Sequence, residues 1–307
     1  MTLAARVGAA PDRAVDPAVA LFAAELGEEA GACAVLFYGS NLRTGSLDGV
    51  LDFYVLLPGE PERGLWPRVS YRERRHDDGV LRAKVATMAL ATFAAAARGE
   101  TLDTTIWARF VQPSALAWSR DAGAVAAVGD ALAAAAATAA RLAAAVGPPS
   151  GREEDYWRAL FRATYRAEFR VEPAGREDAI LSANRAHFDG LLPLALAEAG
   201  VPFAQAGRTL EPKLETAQRR AILAWWNARR RVGKLLNLAR LAKGMTTFEG
   251  GMRYAAWKIE RHTGLPVKVT PLREKYPLIA APGVLWLLWK SRRSPRTSQG
   301  VGKGPVR

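Results

Sequence analysis

The stretch FYGSNLRTGSLDGVLDFYVLL, residues 37–57, decides the fold of this chain. It starts at the end of a short apolar run, which predicts a buried strand, and Gly39-Ser40 then marks a tight turn. The residues at 50–57, VLDFYVLL, are β-branched and aromatic and predict a second strand. A carboxylate, Asp52, lies inside that second strand, twelve residues after Ser40.

The flanking segments extend this strand pair into an α+β sheet domain. Residues 16–31 predict a helix capped by Asp16, and residues 69–88 predict a hairpin that turns at Asp78-Gly79. The segment TTIWARFVQP (104–113) predicts a further strand. One helix followed by about five strands, without regular βαβ alternation, favours a mixed α+β sheet.

Beyond residue 115 the sequence is typical of helices. The stretch 122–146 is rich in alanine and predicts a helix of high propensity. Pro148-Pro149-Ser150-Gly151 marks a linker. Further helices are predicted at 153–170, 177–199 and 214–243.

The linker and the charge distribution divide the chain into three predicted parts. These are a sheet domain at 1–147, a mainly helical domain at 152–289 and a disordered tail at 290–307. The tail holds six basic residues and no acid, and its Ser, Pro and Gly content predicts disorder. Another basic segment, 205–243, has ten basic residues against two acids, so the sheet domain is close to neutral.

Composition excludes several classes of protein. The formal charge of +13 and a pI near 10.3 indicate an anionic partner: nucleic acid, nucleotide or membrane. A single cysteine, Cys33, excludes an internal disulfide, and three widely separated histidines argue against zinc. We expect no secretory leader, because Asp12 and Asp16 interrupt the N-terminal region, and no membrane-spanning run of about 18 apolar residues.

The unit at 37–57 resembles the polymerase-beta-like nucleotidyltransferase superfamily. The resemblance implies that Gly39 lets the backbone approach a triphosphate and that Ser40 donates to phosphate oxygens. It also implies that Asp52 holds Mg²⁺ against the same phosphates. The superfamily usually has a second acid two residues after the first, where this chain has Tyr54.

A narrower family shares the single acid. Over about residues 30–245 the chain resembles the mitochondrial-type phosphatidate cytidylyltransferases, the translocator assembly and maintenance proteins. Their YGSGV-like turn and LDF-type strand match Tyr38-Gly39-Ser40 and Leu51-Asp52-Phe53, although Asn41 stands where the family usually has glycine. Further matches follow in order: an RLIKYGV-like strand at 81–85, a YIAGRLQKP-like strand at 106–113, a YSGDFRM-like segment at 165–170, an AHF triplet at 186–188, and Lys243-Gly244.

The family resemblance implies that CTP and phosphatidate react to give CDP-diacylglycerol and pyrophosphate, with Mg²⁺ as cofactor. Phosphatidate already carries an anionic oxygen, so catalysis depends on positioning and charge neutralisation rather than on a strong base. The predicted catalytic residues are Asp52, which is also the metal ligand, and Lys84. Gly39, Ser40 and Arg109 are predicted to bind the nucleotide, and Lys243 a lipid phosphate.

The C-terminal end predicts how such an enzyme reaches its substrate. The apolar hexamer VLWLLW (284–289) is followed by Lys290, Arg292 and Arg293. Apolar residues flanked by cations are typical of contact with an anionic membrane surface. We therefore expect a cytoplasmic protein associated peripherally with the inner face of the membrane, with no nucleic-acid partner.

Two other functions stay open on the sequence alone. The basic C-terminal half, with Trp225 and Trp226 available to stack on bases, fits a nucleotidyltransferase that acts on nucleic acid. The acid missing at Tyr54 fits an inactive nucleotidyltransferase scaffold that binds an anion or a partner.

Overall fold

A computed structural model of the chain describes residues 2–8, 15–77, 79–167, 175–247 and 249–263. Within these described residues helices and strands are both present, and five strands form a mixed sheet, which confirms the predicted mixture of the two. The chain divides into two compact units, Met1–Thr247 and Phe248–Arg307. The apolar hexamer 284–289 and the predicted tail 290–307 lie outside the described residues.

The mixed sheet belongs to the first unit. Its strands are β1 (Ala34–Tyr38), β2 (Leu51–Leu57), β3 (Arg68–His76), β4 (Gly79–Ala89) and β5 (Ser114–Ser119). Their spatial order is β3-β4-β2-β1-β5. Strands β2 and β4 are parallel, whereas the other neighbours are antiparallel. The two strands predicted around Gly39-Ser40 are therefore present and paired, and so is the predicted hairpin β3–β4.

Helices cover both faces of this sheet. In chain order they are α1 (Leu3–Gly8), α2 (Pro17–Glu29), α3 (Ser40–Thr44), α4 (Leu90–Ala97), α5 (Thr105–Phe110) and α6 (Ala122–Val146). Helix α2 begins as predicted, because the Asp16 side chain accepts from the Ala18 amide at 2.8 Å. Its apolar side chains pack on one face with Val35, Phe53 and Val85, while α4, α5 and α6 cover the other face.

The prediction of a strand at 104–113 was wrong. Residues 105–110 form helix α5, and the fifth strand, β5, follows it in a region where the sequence predicted helix. The side chain of Asp103 accepts from the Thr105 amide at 3.0 Å, which favours a helix start. The buried residues Ile106, Trp107 and Phe110 then share one helical face, and this packing overrides their strand propensity.

Helix α6 is the central helix of the unit. Most of its alanines are buried, and it contacts α1, α4 and α5. Judged by length and composition alone, α6 is the one helix among the described residues that is long and apolar enough to cross a membrane, although Asp130 and Arg141 interrupt its apolar sequence. In this structure 56% of the most apolar 18-residue stretch of α6 is buried inside the protein, as in the core helix of a globular domain.

The second half of the unit is mainly helical, as predicted. Its helices are α7 (Glu153–Ala167), α8 (Arg176–Ala183), α9 (Arg185–Phe188), α10 (Leu191–Glu198) and α11 (Thr216–Thr247). A small antiparallel sheet, which the sequence did not predict, has the order β6-β8-β7. Its strands are β6 (Gly151–Arg152), β7 (Phe203–Ala206) and β8 (Thr209–Pro212).

One hydrophobic core runs through both halves of the first unit. Helix α6 contacts α7, α10 and α11, and buried residues such as Trp157 and Leu192 join the same cluster as Leu142 and Tyr54. The predicted boundary at 148–151 therefore lies between elements that share a core. The division into domains at that linker stays a prediction.

The second unit is described through helix α12 (Gly251–Thr263). Within it the rings of Tyr254 and Trp257 lie 6.3 Å apart, and the Arg261 guanidinium lies 5.3 Å from the centre of the Trp257 ring. These contacts join residues three and four positions apart, as the helical repeat brings them together.

Candidate functional site

Asp52 and Lys84 occupy adjacent positions in a row that crosses the whole mixed sheet. In register order the row is Tyr71, Lys84, Asp52, Tyr38 and Ser114. Side chains at directly opposed positions emerge on the same face of a sheet. Tyr71 and Ser114 are buried, Asp52 and Tyr38 are partly buried, and Lys84 is exposed. The predicted catalytic pair therefore stands side by side, next to solvent.

Gly39 brings the main chain directly against the Asp52 carboxylate. Its φ of 93° and ψ of −160° belong to a region that is essentially limited to glycine. A Cβ atom at this position would lie 3.0 Å from Asp52 Oδ2. The predicted need for glycine is thus explained by backbone geometry and by close approach to the acid. Ser40, the next residue, is exposed and begins the short helix α3.

Asn41, which departs from the family pattern, fixes the loop that leads into β2. Its buried side chain donates from Nδ2 to the Ser46 carbonyl at 2.9 Å and to the Asp48 carbonyl at 2.8 Å. A glycine at this position would lack both hydrogen bonds. The substitution is therefore compatible with an ordered turn between Gly39 and Asp52.

Arg109 reaches this side of the sheet from helix α5 instead of from the predicted strand. Its Nη1 donates to the Tyr54 hydroxyl at 2.8 Å. The guanidinium carbon lies 5.3 Å from the centre of the Tyr38 ring and 5.8 Å from that of Tyr54, which permits cation–π attraction to both rings. The Tyr54 hydroxyl therefore holds the Arg109 guanidinium beside the sheet.

Contacts at both ends of α5 fix the position of Arg109. At the start, the buried carboxylate of Asp103 accepts from the Thr105 amide and hydroxyl and from Arg240 Nη1, at 3.0, 2.7 and 2.8 Å. After its end, His187 Nε2 lies 2.9 Å from the Val111 carbonyl, and it carries the proton because a carbonyl only accepts. Sequence reasoning missed Asp103 and Arg240, which lie 137 positions apart.

Burial and nearby cations have opposite effects on Asp52. Burial raises the pKa of the Asp52 carboxyl above its ordinary value, and the charges of Lys84 and Arg109 lower it in part. Burial likewise raises the pKa of Tyr54, with Arg109 opposing the rise, so the phenol is neutral at neutral pH. Any additional cation beside Asp52 would therefore stabilise its ionised form.

The last predicted site residue, Lys243, has a different setting. Its Nζ donates to the Leu65 carbonyl, and Arg240 on the same helix lies over the Trp66 ring at 4.9 Å. The structure thus brings Gly39, Asp52, Lys84 and Arg109 together, whereas Lys243 contacts the loop that precedes β3. Its predicted role toward a lipid phosphate stays a prediction.

The donor set suits a magnesium ion that arrives with a nucleotide. Among the described residues no group of three or more His, Cys, Asp or Glu side chains could hold a metal ion by itself. Mg²⁺ commonly uses one or two carboxylates and completes its shell with substrate phosphates and water. Asp52, left uncrowded by the missing Cβ of Gly39, fits that mode of binding.

A separate cleft of about 610 Å³ lies at the start of α7. Its walls include Trp157, Leu181, Phe188 and Arg208, and none of the predicted site residues lines it. Its acids already have partners in part: Glu153 accepts from two backbone amides, and Asp178 pairs with Arg158. We therefore do not place the chemistry in this cleft.

The two tryptophans that favoured nucleic acid have structural roles. Trp226 is 4% exposed, and its ring lies 6.1 Å from that of Trp107. Trp225 packs against Trp107 at 5.8 Å and donates to the Gly99 carbonyl at 3.1 Å. Stacking on bases would require these rings to leave their packed positions.

Neither a protein-family model nor a curated protein matches the chain. Its function is therefore inferred from the geometry around Asp52 and from the residue matches quoted above.

Proposed function

We propose that this protein is a nucleotidyltransferase that binds a nucleoside triphosphate beside Gly39 and Asp52. The observation that carries the proposal is the close approach of the Gly39 backbone to the Asp52 carboxylate, with Lys84 opposite Asp52 in the sheet. Main chain, acid and cation are the three features that a triphosphate with its magnesium ion requires. Arg109 adds a second cation whose direction is fixed by Tyr54.

The residues have distinct roles in this proposal. Asp52 would hold Mg²⁺, which, when bound, neutralises charge on the phosphates and favours departure of pyrophosphate. Lys84 and Arg109 neutralise the remaining charge as the bond to the leaving phosphate breaks. Tyr54 acts through Arg109, because its hydroxyl accepts the guanidinium hydrogen bond. A phosphate monoester acceptor is already anionic, so the site needs no general base.

The resemblance supplies the proposed substrates. CTP would be the donor and phosphatidate, or a related anionic phospholipid, the acceptor. The oxygen of the lipid phosphate attacks the α-phosphorus of CTP, the bond to the bridging oxygen breaks, and CDP-diacylglycerol and pyrophosphate form. The enzyme would act from the cytoplasm at the inner face of the membrane.

Transfer of label to lipid tests the proposal. The full chain is incubated with Mg²⁺, phosphatidate vesicles and each of the four α-labelled ribonucleoside triphosphates in turn. We expect a lipid-soluble labelled product with CTP, and a loss of at least about a hundredfold in kcat/KM for Asp52→Asn, because a metal-binding carboxylate stabilises the transition state by several kcal/mol.

The matched control is Asp48→Asn, which changes an exposed acid of the same turn whose backbone, not its carboxylate, bonds to Asn41. This variant should retain most of the activity. Full activity of Asp52→Asn would contradict the role of Asp52. Labelling of RNA instead of lipid would contradict the acceptor, and no transfer to any acceptor would contradict the enzyme itself.

A further inference from the structure

Two arginines from different helices lie against one indole ring, and neither belongs to the residues proposed for the nucleotide site. Arg141 on α6 lies 5.1 Å, and Arg229 on α11 lies 4.0 Å, from the centre of the Trp225 ring. Arg229 is 7% exposed, whereas Arg141 is partly exposed. The Arg229 side chain is thus almost fully buried, whereas the Arg141 side chain is partly accessible to solvent.

Neither arginine has an acidic partner in the part of the chain that the structure describes. Arg229 donates to two carbonyls, those of Trp225 at 3.0 Å and Gly99 at 2.6 Å. Arg141 has no hydrogen bond or ion pair to any described residue. The buried Nε atoms of both side chains are without a hydrogen-bond partner. Unused donors are therefore present on two cations that lie against the same indole ring.

The like charges make this arrangement unfavourable as it stands. Burial lowers the pKa of both guanidinium groups, and the charge of Arg141 lowers the pKa of Arg229 further. Arginine nevertheless keeps its proton in proteins, so the cost is not relieved by deprotonation. The Trp225 ring offsets only a part of the free-energy cost of burying these two charges, because a cation–π contact does not neutralise them as an acidic partner would. A bound anion would supply the missing charge.

We propose that Arg141 and Arg229 form a binding site for a phosphoryl oxyanion. The planar fork of donors on arginine matches the oxygens of phosphate, and two forks from different helices can hold one group. Gly99 contributes to the enclosure, because a Cβ at this position would lie 2.8 Å from the Trp225 ring. The partly exposed Arg141 provides the side from which the anion enters. The site uses none of the residues assigned to CTP or Mg²⁺.

Thermal unfolding of the full chain with inorganic phosphate tests the site. Potassium phosphate is compared with potassium chloride at equal ionic strength, which separates specific binding from screening. We expect a saturable rise in Tm with phosphate. Arg141→Met keeps an apolar stem against Trp225 but removes the charge and the donors. It should weaken phosphate binding at least about tenfold, which corresponds to about 1.4 kcal/mol.

The same variant separates an anion site from a purely structural stack. In chloride without phosphate, Arg141→Met should melt at the same temperature as the wild type or higher, because a repulsive charge is gone. A lower Tm in chloride with an unchanged response to phosphate would overturn the proposal. Arg230→Gln, an exposed neighbour on α11, is the matched control and should keep the phosphate response. Equal losses in both variants would also overturn the site.

A second pair of measurements identifies the source of the phosphoryl group. Isothermal titration of the wild-type chain with inorganic phosphate reports the free ion and does not require a stable variant. Flotation with phosphatidylcholine vesicles, with and without phosphatidate, reports a lipid headgroup. Binding by either route that depends on Arg141 supports the site, and binding by neither overturns it. Since no step measures nucleotidyl transfer, failure here leaves the proposed enzyme activity standing.

Discussion

At the residue scale, the contact between Gly39 and Asp52 is sensitive to the addition of a single methyl group. In Gly39→Ala the new Cβ would lie 3.0 Å from Asp52 Oδ2 at a φ of 93°. We expect a loss of about 1 to 3 kcal/mol in the free energy of unfolding, from backbone strain. We also expect nucleotide affinity to fall, because the carboxylate must shift. Urea unfolding and CTP titration measure the two effects.

Gly45→Ala is the matched control at the other end of α3. Gly45 also has a positive φ, 70°, but no atom lies within 4 Å of the position where its Cβ would be. This variant should lose stability through strain and keep its affinity for CTP. If both variants bind CTP as the wild type does, the close approach of Gly39 to Asp52 has no role in nucleotide binding.

Sequence reasoning found some single residues of the site and missed others for a physical reason. Gly39 directly follows β1, and Asp52 lies thirteen positions later on the neighbouring strand β2, so the local pattern of turn and strand was enough to find them. The hydrogen bond from Arg109 to Tyr54 spans 55 positions and depends on where α5 packs. Tyr54 was therefore noticed as a missing acid, while its contact with Arg109 became visible only in three dimensions.

At the scale of elements, α5 shows how packing decides between helix and strand. Its sequence, TIWARF, contains residues that favour strands, and the segment was predicted as one. The Asp103 carboxylate accepts from the amide of the helix's first residue, Thr105, and the helical turn buries Ile106, Trp107 and Phe110 together. The preference for helix thus comes from tertiary contacts that no local pattern contains. The alanine-rich α6, in contrast, agrees with its local propensity and was predicted correctly.

The ion pair between Asp103 and Arg240 joins α5 to α11 and should contribute strongly to stability. Both side chains are largely buried, at 3% and 16% exposed. Asp103→Asn leaves the Arg240 charge without its partner, so we expect a loss of about 3 kcal/mol in the free energy of unfolding. Denaturant unfolding measures it. Arg240→Met and the double variant complete the cycle, and additive losses would show that the pair is not coupled.

Helix α10 is capped from another helix, and this makes one part of the stability dependent on pH. Both carboxylate oxygens of Glu153, on α7, accept from the Gly190 and Leu192 amides at 3.2 Å. Burial nevertheless raises the pKa of Glu153 above its ordinary value of 4.5. The folded state therefore holds this proton more tightly than the unfolded state, and stability should fall as pH rises from 4.5 through the folded pKa.

Unfolding free energies measured across that pH range test the assignment. Glu153→Gln should remove this part of the decrease in stability with rising pH, because the side chain no longer ionises. The exposed neighbour Glu154→Gln serves as the control and should keep the wild-type profile. An unchanged profile in Glu153→Gln would show that another group causes the pH dependence.

At the scale of the whole molecule, the shared core predicts that the first unit unfolds as one body. A fragment of residues 1–147 would expose the face of α6 that contacts α7, α10 and α11. Burial of that face contributes to the hydrophobic stabilisation. We expect the fragment 1–147 to show neither a cooperative thermal transition nor dispersed amide resonances. The fragment 1–247 should show both, and a cooperative 1–147 would instead support separate domains at the linker.

At the same scale, the tertiary contacts show that part of the molecule's positive charge is directed into the protein. The sequence placed much of the +13 in the basic segment 205–243, and the charge indicated an anionic partner. Several of these cations point to partners inside the protein: Arg219 to the Ala145 carbonyl, Arg229 to Gly99, and Arg240 to Asp103. Residue counts could not distinguish such cations from exposed ones, since the distinction depends on tertiary contacts.

The strand register described above limits how the length of this chain can change during evolution. Lys84 and Asp52 face each other because β4 and β2 pair in one alignment. Gain or loss of residues in the loop at 58–67 leaves that alignment intact. Deletion of a single codon within β4 before Lys84 would exchange the two faces of the strand and turn the lysine toward the layer of Phe53 and Val85. Inherited insertions and deletions should therefore collect in the loop and be eliminated from the strand.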